Sequence, residues 1–219
     1  MDTASLKTPG VYIQEIATFP PSVAEVASAV PAFIGFTELA PTPSVNRITS
    51  LVDYVALYGL AENQKDFTAS IDANGNLVVK PGKTSPYIMY YALQLYFANG
   101  GGDAWVSSAG AFSDAKATGD AQNTLTNALA LIAKEDEPTL LVFPDAINVL
   151  TGATFYFLIS AALEQCVKLQ DRFTIIDVPN TNRDPFKDAT EFRTALNGVE
   201  PATTYGAAFY PFLLTTIPY

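Results

Sequence analysis

Hydrophobic and polar residues follow two alternating patterns in the second half of this chain. From residue 104 onward, short apolar runs alternate with longer segments in which apolar residues recur every three or four positions. These patterns predict strands at 104–109, 139–143, 173–178 and 206–210 and helices at 120–134, 153–170 and 185–197. Strands that alternate with helices are typical of βαβ units, so the sequence predicts an α/β fold, a mostly parallel sheet with flanking helices.

The first half contains three further elements. An apolar run at 30–37 predicts a buried strand. Residues 49–59 predict a capped short helix that stops at Gly59. Residues 85–98 predict a helix with aromatic side chains on more than one face, packed on several sides and ending at a run of glycines.

A surface β-hairpin is predicted at 66–80, within a small decoration around 60–85. Two β-favouring segments flank Asn74 and Gly75. This dipeptide adopts positive φ at low cost, so it favours a tight hairpin turn.

The amino terminus predicts an extended arm over residues 1–22, separate from a core at 23–219. A β-favouring run lies between two breakers, Thr8-Pro9-Gly10 and Phe19-Pro20-Pro21. A strand with no neighbouring hairpin partner pairs with a distant one, either in its own domain or in an adjacent chain. Its residues are Val11, Tyr12, Ile13, Gln14, Glu15 and Ile16.

Composition excludes several classes of function. The 12 Lys and Arg against 22 Asp and Glu residues among 219 give a formal net charge of -10, which disfavours nucleic acid as a partner. The absence of histidine excludes Ser-His-Asp and Cys-His catalysis and most catalytic zinc sites. The apolar runs are too short for direct membrane insertion. Cys166 lies in an apolar helical pattern and is expected to be buried.

Acidic residues provide the candidate chemistry. Asp145 and Asp177 follow predicted parallel strands, where α/β enzymes place ligands, so a hydrolase that uses these carboxylates is the alternative function. Capping of the following helix is the favoured interpretation of each. The acidic run 135–137 is expected to be a solvated corner.

Glycine-rich segments do not predict a nucleotide site. Gly82-Lys83-Thr84 resembles a phosphate-binding loop but lacks its first glycine, since Leu77 stands there. Gly100-Gly101-Gly102 follows a helix and precedes a strand, so a close-packed turn is the better account. No cofactor or metal is predicted, and the chain is not expected to be an enzyme.

Seven segments, in order, resemble the contractile phage tail sheath family and the sheath subunits of contractile injection systems. They start with the arm and its preceding Thr8-Pro9-Gly10, and they extend over nearly the whole chain: 8–16, 30–37, 48–59, 96–106, 140–145, 172–179 and 207–212.

The resemblance implies a structural function. Sheath subunits polymerise in rings around an inner tube and contract to drive the tube through a target envelope, with energy stored at subunit interfaces. The implied partners are copies of the chain, the inner tube protein, and baseplate and terminal cap proteins. The arm would add a strand to a neighbouring subunit.

The resemblance also implies where the protein assembles and one respect in which this sequence differs from the family. Assembly would occur in the cytoplasm of the producing bacterium, within a virion tail or a phage-tail-like particle, with extracellular release left open. Sheath proteins continue into a carboxyl-terminal domain beyond the region that matches 212–219. That domain is expected to be missing here, and the run 212–219 is itself β-like.

Overall fold

The computed structural model describes residues 29–63, 67–80, 82, 84–113, 120–199 and 201–217. Its strands are β1 Pro31–Thr37, β2 Val45–Ile48, β3 Thr68–Ile71, β4 Leu77–Lys80, β5 Ala104–Ala111, β6 Leu140–Val142, β7 Phe173–Asp177 and β8 Gly206–Phe209. Its helices are α1 Leu51–Tyr58, α2 Met89–Ala98, α3 Ala121–Ile132, α4 Ala146–Val149, α5 Ala153–Leu169 and α6 Pro185–Ala195, with a 3-10 helix at Ala202–Tyr205.

Six strands form one sheet in the order β2-β5-β1-β6-β7-β8. All neighbours are parallel except β2, which runs antiparallel to β5 at one edge. The α/β fold and the mostly parallel sheet are therefore confirmed. Strand β2 and the short helix α4 were not predicted from the sequence.

The central strand β1 is buried along its whole length, because the sheet is covered on both faces. Phe33 packs on one face with α1 and α2. Ile34 packs on the other face with α3 and α5. Cys166 belongs to this second core and is fully buried, as predicted.

The predicted caps of α1 are present. Ser50 is the N-cap and its hydroxyl accepts a hydrogen bond from the Asp53 N–H. Gly59 ends the helix with φ at 84°, in the left-handed region that glycine adopts without a steric penalty. Around α2, Met89 and Leu93 are buried while Leu95 is exposed, so the predicted packing on several sides covers only part of that helix.

The hairpin is confirmed, but its turn differs from the prediction. Strands β3 and β4 pair as a separate two-stranded antiparallel sheet. The connection runs over five residues, and within it Gly75 has positive φ while Asn74 does not. The Asp72 carboxylate accepts hydrogen bonds from the N–H groups of Asn74 and Asn76 at 2.8 Å each, which stabilises this wider turn.

The prediction of a β-like run at the end of the sequence is wrong for residues 212–217. These residues form no strand, and Leu213 and Leu214 are exposed. A strand needs a neighbour for its backbone hydrogen bonds, and β8 pairs with β7 over Gly206–Phe209 only.

Candidate functional site

Asp145 is the centre of the candidate site. It follows β6, whose pairing with β1 ends where Val142 lies beside Phe33. Beyond that point β6 no longer pairs with β1, and the Asp145 carboxylate instead accepts a hydrogen bond from the Phe36 N–H at 2.7 Å. The side chain therefore continues the connection between these two segments after the strand pairing ends.

The same carboxylate caps a helix that is distant in sequence. Its Oδ1 atom accepts hydrogen bonds from the N–H of Ile88 at 2.6 Å and of Met89 at 3.0 Å. Met89 is the first residue of α2, whose amino-terminal N–H groups have no partners within the helix. Asp145 thus joins β1, the start of α2 and the segment that follows β6.

A glycine leaves room for this arrangement. A Cβ atom on Gly35 would lie 2.5 Å from Asp145 Oδ2 and 3.0 Å from the Met89 Cε atom. Both distances are too short for non-bonded atoms, so residue 35 must lack a side chain if the carboxylate is to reach β1.

Burial and hydrogen bonding act in opposite directions on Asp145. The residue has no exposed surface, and loss of hydration raises the pKa of its carboxyl group to about 7. The three backbone N–H donors lower that pKa, because they stabilise the charged form. With both oxygens engaged and enclosed, Asp145 cannot contact a substrate in this structure.

Asp177 does not complete a carboxylate pair. It ends β7, and its carboxylate accepts no hydrogen bond from the donors that the structure describes. Asp177 as a whole residue is exposed. Its carboxyl group at the strand end is nevertheless partly desolvated, and this raises the pKa of the carboxyl group. Asp145 is enclosed, Asp177 is exposed as a residue, and neither carboxylate shifts the pKa of the other, so the two do not behave as a shared acid-base site.

The favoured interpretation of these two residues as caps of the helices that follow them is wrong. Asp145 occupies the N-cap position of α4, but its side chain makes no hydrogen bond there and caps α2 instead. Asp177 precedes a loop, and Asp184 is the N-cap of α6, accepting hydrogen bonds from the N–H of Phe186 and Lys187.

Asp188 is a structured carboxylate that the sequence analysis missed. It is buried in α6 and accepts hydrogen bonds from the Asn182 N–H at 2.9 Å and the Thr181 hydroxyl at 3.3 Å. Burial acts to raise the pKa of Asp188, but these hydrogen bonds hold it below its usual value. The residue fixes the loop between β7 and α6, and no sequence pattern marks it because its partners lie in a loop.

Other predicted features have structural roles. Glu137, in the acidic run, accepts a hydrogen bond from the Trp105 indole at 2.7 Å and pairs with Arg47 at 3.0 Å. A Cβ atom on Gly101 would lie 2.5 Å from the Tyr96 ring, so the predicted close packing of the glycine turn is present at Gly101, whereas a Cβ atom on Gly100 or Gly102 would meet no atom within 4 Å. Lys83 of the phosphate-loop resemblance lies outside the described residues, as does the inter-subunit arm at 11–16.

The described residues contain neither a metal-binding cluster nor a membrane-spanning helix. Within 29–63, 67–80, 82, 84–113, 120–199 and 201–217, no group of three or more Cys, Asp or Glu side chains could hold a metal ion. No helix in the same ranges combines the length and the apolar character that a membrane span requires.

Within the part of the chain that the structure describes, both edges of the main sheet leave backbone groups unpaired by strands. Among these residues, strand β2 pairs with β5 alone and β8 pairs with β7 alone. An edge strand can accept a further strand through its free N–H and C=O groups. These edges are therefore the places on the main sheet where another chain segment could add.

Chains in solved structures resemble this one, among them two from the anti-feeding prophage. In the cryo-EM structure of the anti-feeding prophage baseplate in the contracted state, the matching chain has 20% sequence identity and a TM-score of 0.57 over 93% of this chain and 47% of its own length. In the cryo-EM structure of the anti-feeding prophage helical sheath in the contracted state, the matching chain has 25% sequence identity and a TM-score of 0.48 over 94% of this chain and 46% of its own length. This chain spans about half the length of both. No protein-family model and no curated protein matches the sequence.

The fold assignment rests on the likeness to the baseplate chain. A TM-score of 0.57 over 93% of this chain, at 20% identity, reports a common arrangement of strands and helices. This protein therefore has the same α/β fold as a chain of the contracted anti-feeding prophage baseplate structure.

Proposed function

We propose that this chain is a structural subunit of a contractile sheath, which polymerises in rings around an inner tube and contracts to drive that tube through a target envelope. The fold shared with an anti-feeding prophage baseplate chain over 93% of the sequence carries the proposal. The seven segments that resemble sheath proteins support it, since five of them include all or part of strands β1 and β5–β8 of the main sheet.

A structural role also agrees with the chemistry of the candidate site. Asp145 is enclosed and bonded to three backbone N–H groups, so its carboxylate holds segments together. Asp177 is exposed, and neither carboxylate shifts the pKa of the other. The hydrolase alternative, which needs both carboxylates at one substrate, receives no support from this arrangement.

The partners and the location belong to the same proposal. Copies of the chain come first, followed by the inner tube, baseplate and terminal cap proteins. The arm, residues 1–22, would place 11–16 beside an open sheet edge of a neighbouring copy, and 23–219 would form the core. Assembly in the cytoplasm of the producing bacterium, within a virion tail or phage-tail-like particle, follows from the same resemblance.

Negative-stain electron microscopy tests this proposal. The full-length gene product is expressed with the tube protein encoded beside it, in parallel with a version that lacks residues 1–20. Tubes or stacked rings that form with the arm and are lost without it are the expected result. Soluble monomers in both samples would overturn the sheath assignment.

A baseplate-proximal subunit is the second candidate. The likeness that carries the fold assignment is to a chain in a baseplate structure, and this favours a position near the particle end. Such a subunit would form one short collar at the tube end, whereas a sheath subunit would cover the tube along its length. Immunogold labelling of the particles separates these two patterns.

A further inference from the structure

Asparagine precedes glycine at three places in this chain. The pairs are Asn74-Gly75, Asn99-Gly100 and Asn197-Gly198. In such a pair the backbone nitrogen of the glycine can attack the carboxamide carbon of the asparagine side chain, because glycine has no side chain to block the approach. Asparagine is for this reason among the thermolabile residues of proteins.

The three pairs have similar surroundings. Each asparagine is exposed to solvent. Each glycine has positive φ, at 84°, 82° and 93° in chain order, and a Cβ atom added to any of the three would meet no atom within 4 Å. The dipeptide, its exposure and its steric access are therefore matched at the three places.

Hydrogen bonds distinguish the pairs. The Gly75 N–H donates to the Asp72 carbonyl oxygen at 3.0 Å. The Gly100 N–H donates to the Phe97 carbonyl oxygen at 3.1 Å. The side-chain amide of the asparagine before Gly100 also donates a hydrogen bond, to the Leu95 carbonyl oxygen at 2.7 Å. These bonds hold the attacking nitrogen at both pairs, and at one of them the carboxamide as well.

At the third pair both reacting groups are free. Among the residues that the structure describes, no acceptor receives a hydrogen bond from the Gly198 N–H, and none pairs with the Asn197 carboxamide. The bonds of this turn involve the neighbouring N–H groups, since Asn197 donates to the Thr194 carbonyl at 3.3 Å and Val199 donates to the Leu196 carbonyl at 3.2 Å. The Gly198 nitrogen can therefore attack without first breaking a hydrogen bond.

We infer that Asn197-Gly198 is a site of spontaneous deamidation, which reacts faster than the two other pairs. The Gly198 nitrogen loses its proton to hydroxide and bonds to the Asn197 Cγ atom. The bond between Cγ and the side-chain nitrogen breaks, and that nitrogen takes up a proton and leaves as ammonia. Water then adds to either carbonyl carbon of the five-membered succinimide ring and opens it to aspartate or isoaspartate.

The reaction changes the turn that follows α6. It adds one negative charge just beyond Ala195, where the helix dipole disfavours an anion. Isoaspartate also lengthens the backbone by one carbon. That carbon lies between Leu196, which is buried, and Val199, which packs against the second core, so the turn has to rearrange. The inference concerns the folded chain itself and is independent of the sheath assignment.

Peptide mass spectrometry tests this inference. The full chain is incubated in mildly alkaline buffer, once folded and once in urea, and the peptides that contain each pair are quantified over time. In the folded chain Asn197 should react about tenfold faster than Asn74 or Asn99, as expected if one hydrogen bond must break first at the other pairs. In urea those bonds are absent, so the three rates should become similar.

Asn197→Gln is the matched variant, because glutamine would have to close a six-membered ring and does so slowly. An acidic species should accumulate on ion exchange of the folded wild-type protein and of Asn74→Gln, and it should be lost in Asn197→Gln. Reaction of Asn74 or Asn99 as fast as Asn197 in the folded chain would overturn the inference. An unreacted Asn197 at times when all three pairs react in urea would overturn it as well, and so would the same ranking in both conditions.

Discussion

The N–H of Met89 donates a hydrogen bond to Asp145 Oδ1 at 3.0 Å, across 56 residues of sequence. This bond attaches the start of α2 to the segment that follows β6. The other carboxylate oxygen accepts the Phe36 N–H of β1, so one side chain joins elements that no continuous strand or helix connects. A residue at the position of a catalytic carboxylate therefore acts as an internal cap.

Asp145→Asn should lower the free energy of unfolding by about 2 to 4 kcal/mol, because an amide keeps one acceptor oxygen and turns an NH2 group toward a backbone donor. Urea denaturation measures the change, with an unaltered m-value as the sign of an intact fold. Asp177→Asn is the matched control at an exposed strand end and should change the free energy by less than about 0.5 kcal/mol. Equal effects of the two variants would contradict the capping role.

Gly35→Ala should destabilise the protein by about 1 to 3 kcal/mol, because the added methyl group meets the fixed Asp145 carboxylate and the Met89 side chain. Gly102→Ala is the control, since a Cβ atom there meets no atom within 4 Å. Thermal and urea unfolding of both variants provide the comparison. A neutral Gly35→Ala variant would mean that the carboxylate can move aside.

The raised pKa of Asp145 predicts a particular pH dependence of stability. The carboxyl group binds its proton more tightly in the folded state, with a pKa near 7, than in an unfolded chain, with a pKa near 3.8. Its contribution is therefore complete below about pH 4 and is lost as the pH rises through 7. The chain has no histidine that would titrate in this window.

The measurement is the free energy of unfolding of the wild-type protein and of Asp145→Asn between pH 4 and pH 8. The wild-type value should fall with rising pH by up to about 1.4 kcal/mol per pH unit relative to the variant. Asp171 and Asp188 have lowered pKa values and act in the opposite sense, at lower pH. Parallel profiles for the two proteins would contradict the assignment of the raised pKa to Asp145.

Local patterns predicted most elements of the fold. The runs of β1 and β5–β8 are apolar enough to identify, and Asn74-Gly75 marks the hairpin even though the turn is wider. The edge strand β2 escaped prediction because Val45–Ile48 is short and includes the polar Asn46 and Arg47. Pairing with β5, and not local preference, makes it a strand.

Long-range partners could not be predicted from these patterns. The sequence places Asp145 after a strand, but its donors Phe36 and Met89 are 109 and 56 residues away. The strand order, with β1 between β5 and β6, also depends on contacts between distant segments. Asp188 escaped notice for a related reason, since its role depends on the path of the preceding loop.

Arg172 provides a final test, on the second core. Its buried guanidinium group donates hydrogen bonds to the carbonyl oxygens of Ile132 at 3.2 Å and Glu135 at 2.9 Å, and so caps the carboxyl end of α3. Arg172→Met should lower the free energy of unfolding by about 2 to 3 kcal/mol, because the thioether fills similar space but makes no hydrogen bond to either carbonyl oxygen.

Arg47→Met is the matched control for this prediction. Arg47 pairs with Asp103 and Glu137, but its side chain is 42% exposed and water can replace both partners. The expected loss is below about 1 kcal/mol, as for other surface ion pairs. Hydrogen exchange should show faster opening of the last turn of α3 in Arg172→Met only. Equal exchange at α3 in both variants would contradict the capping role of Arg172, because that role predicts a local effect at the carbonyl groups it binds.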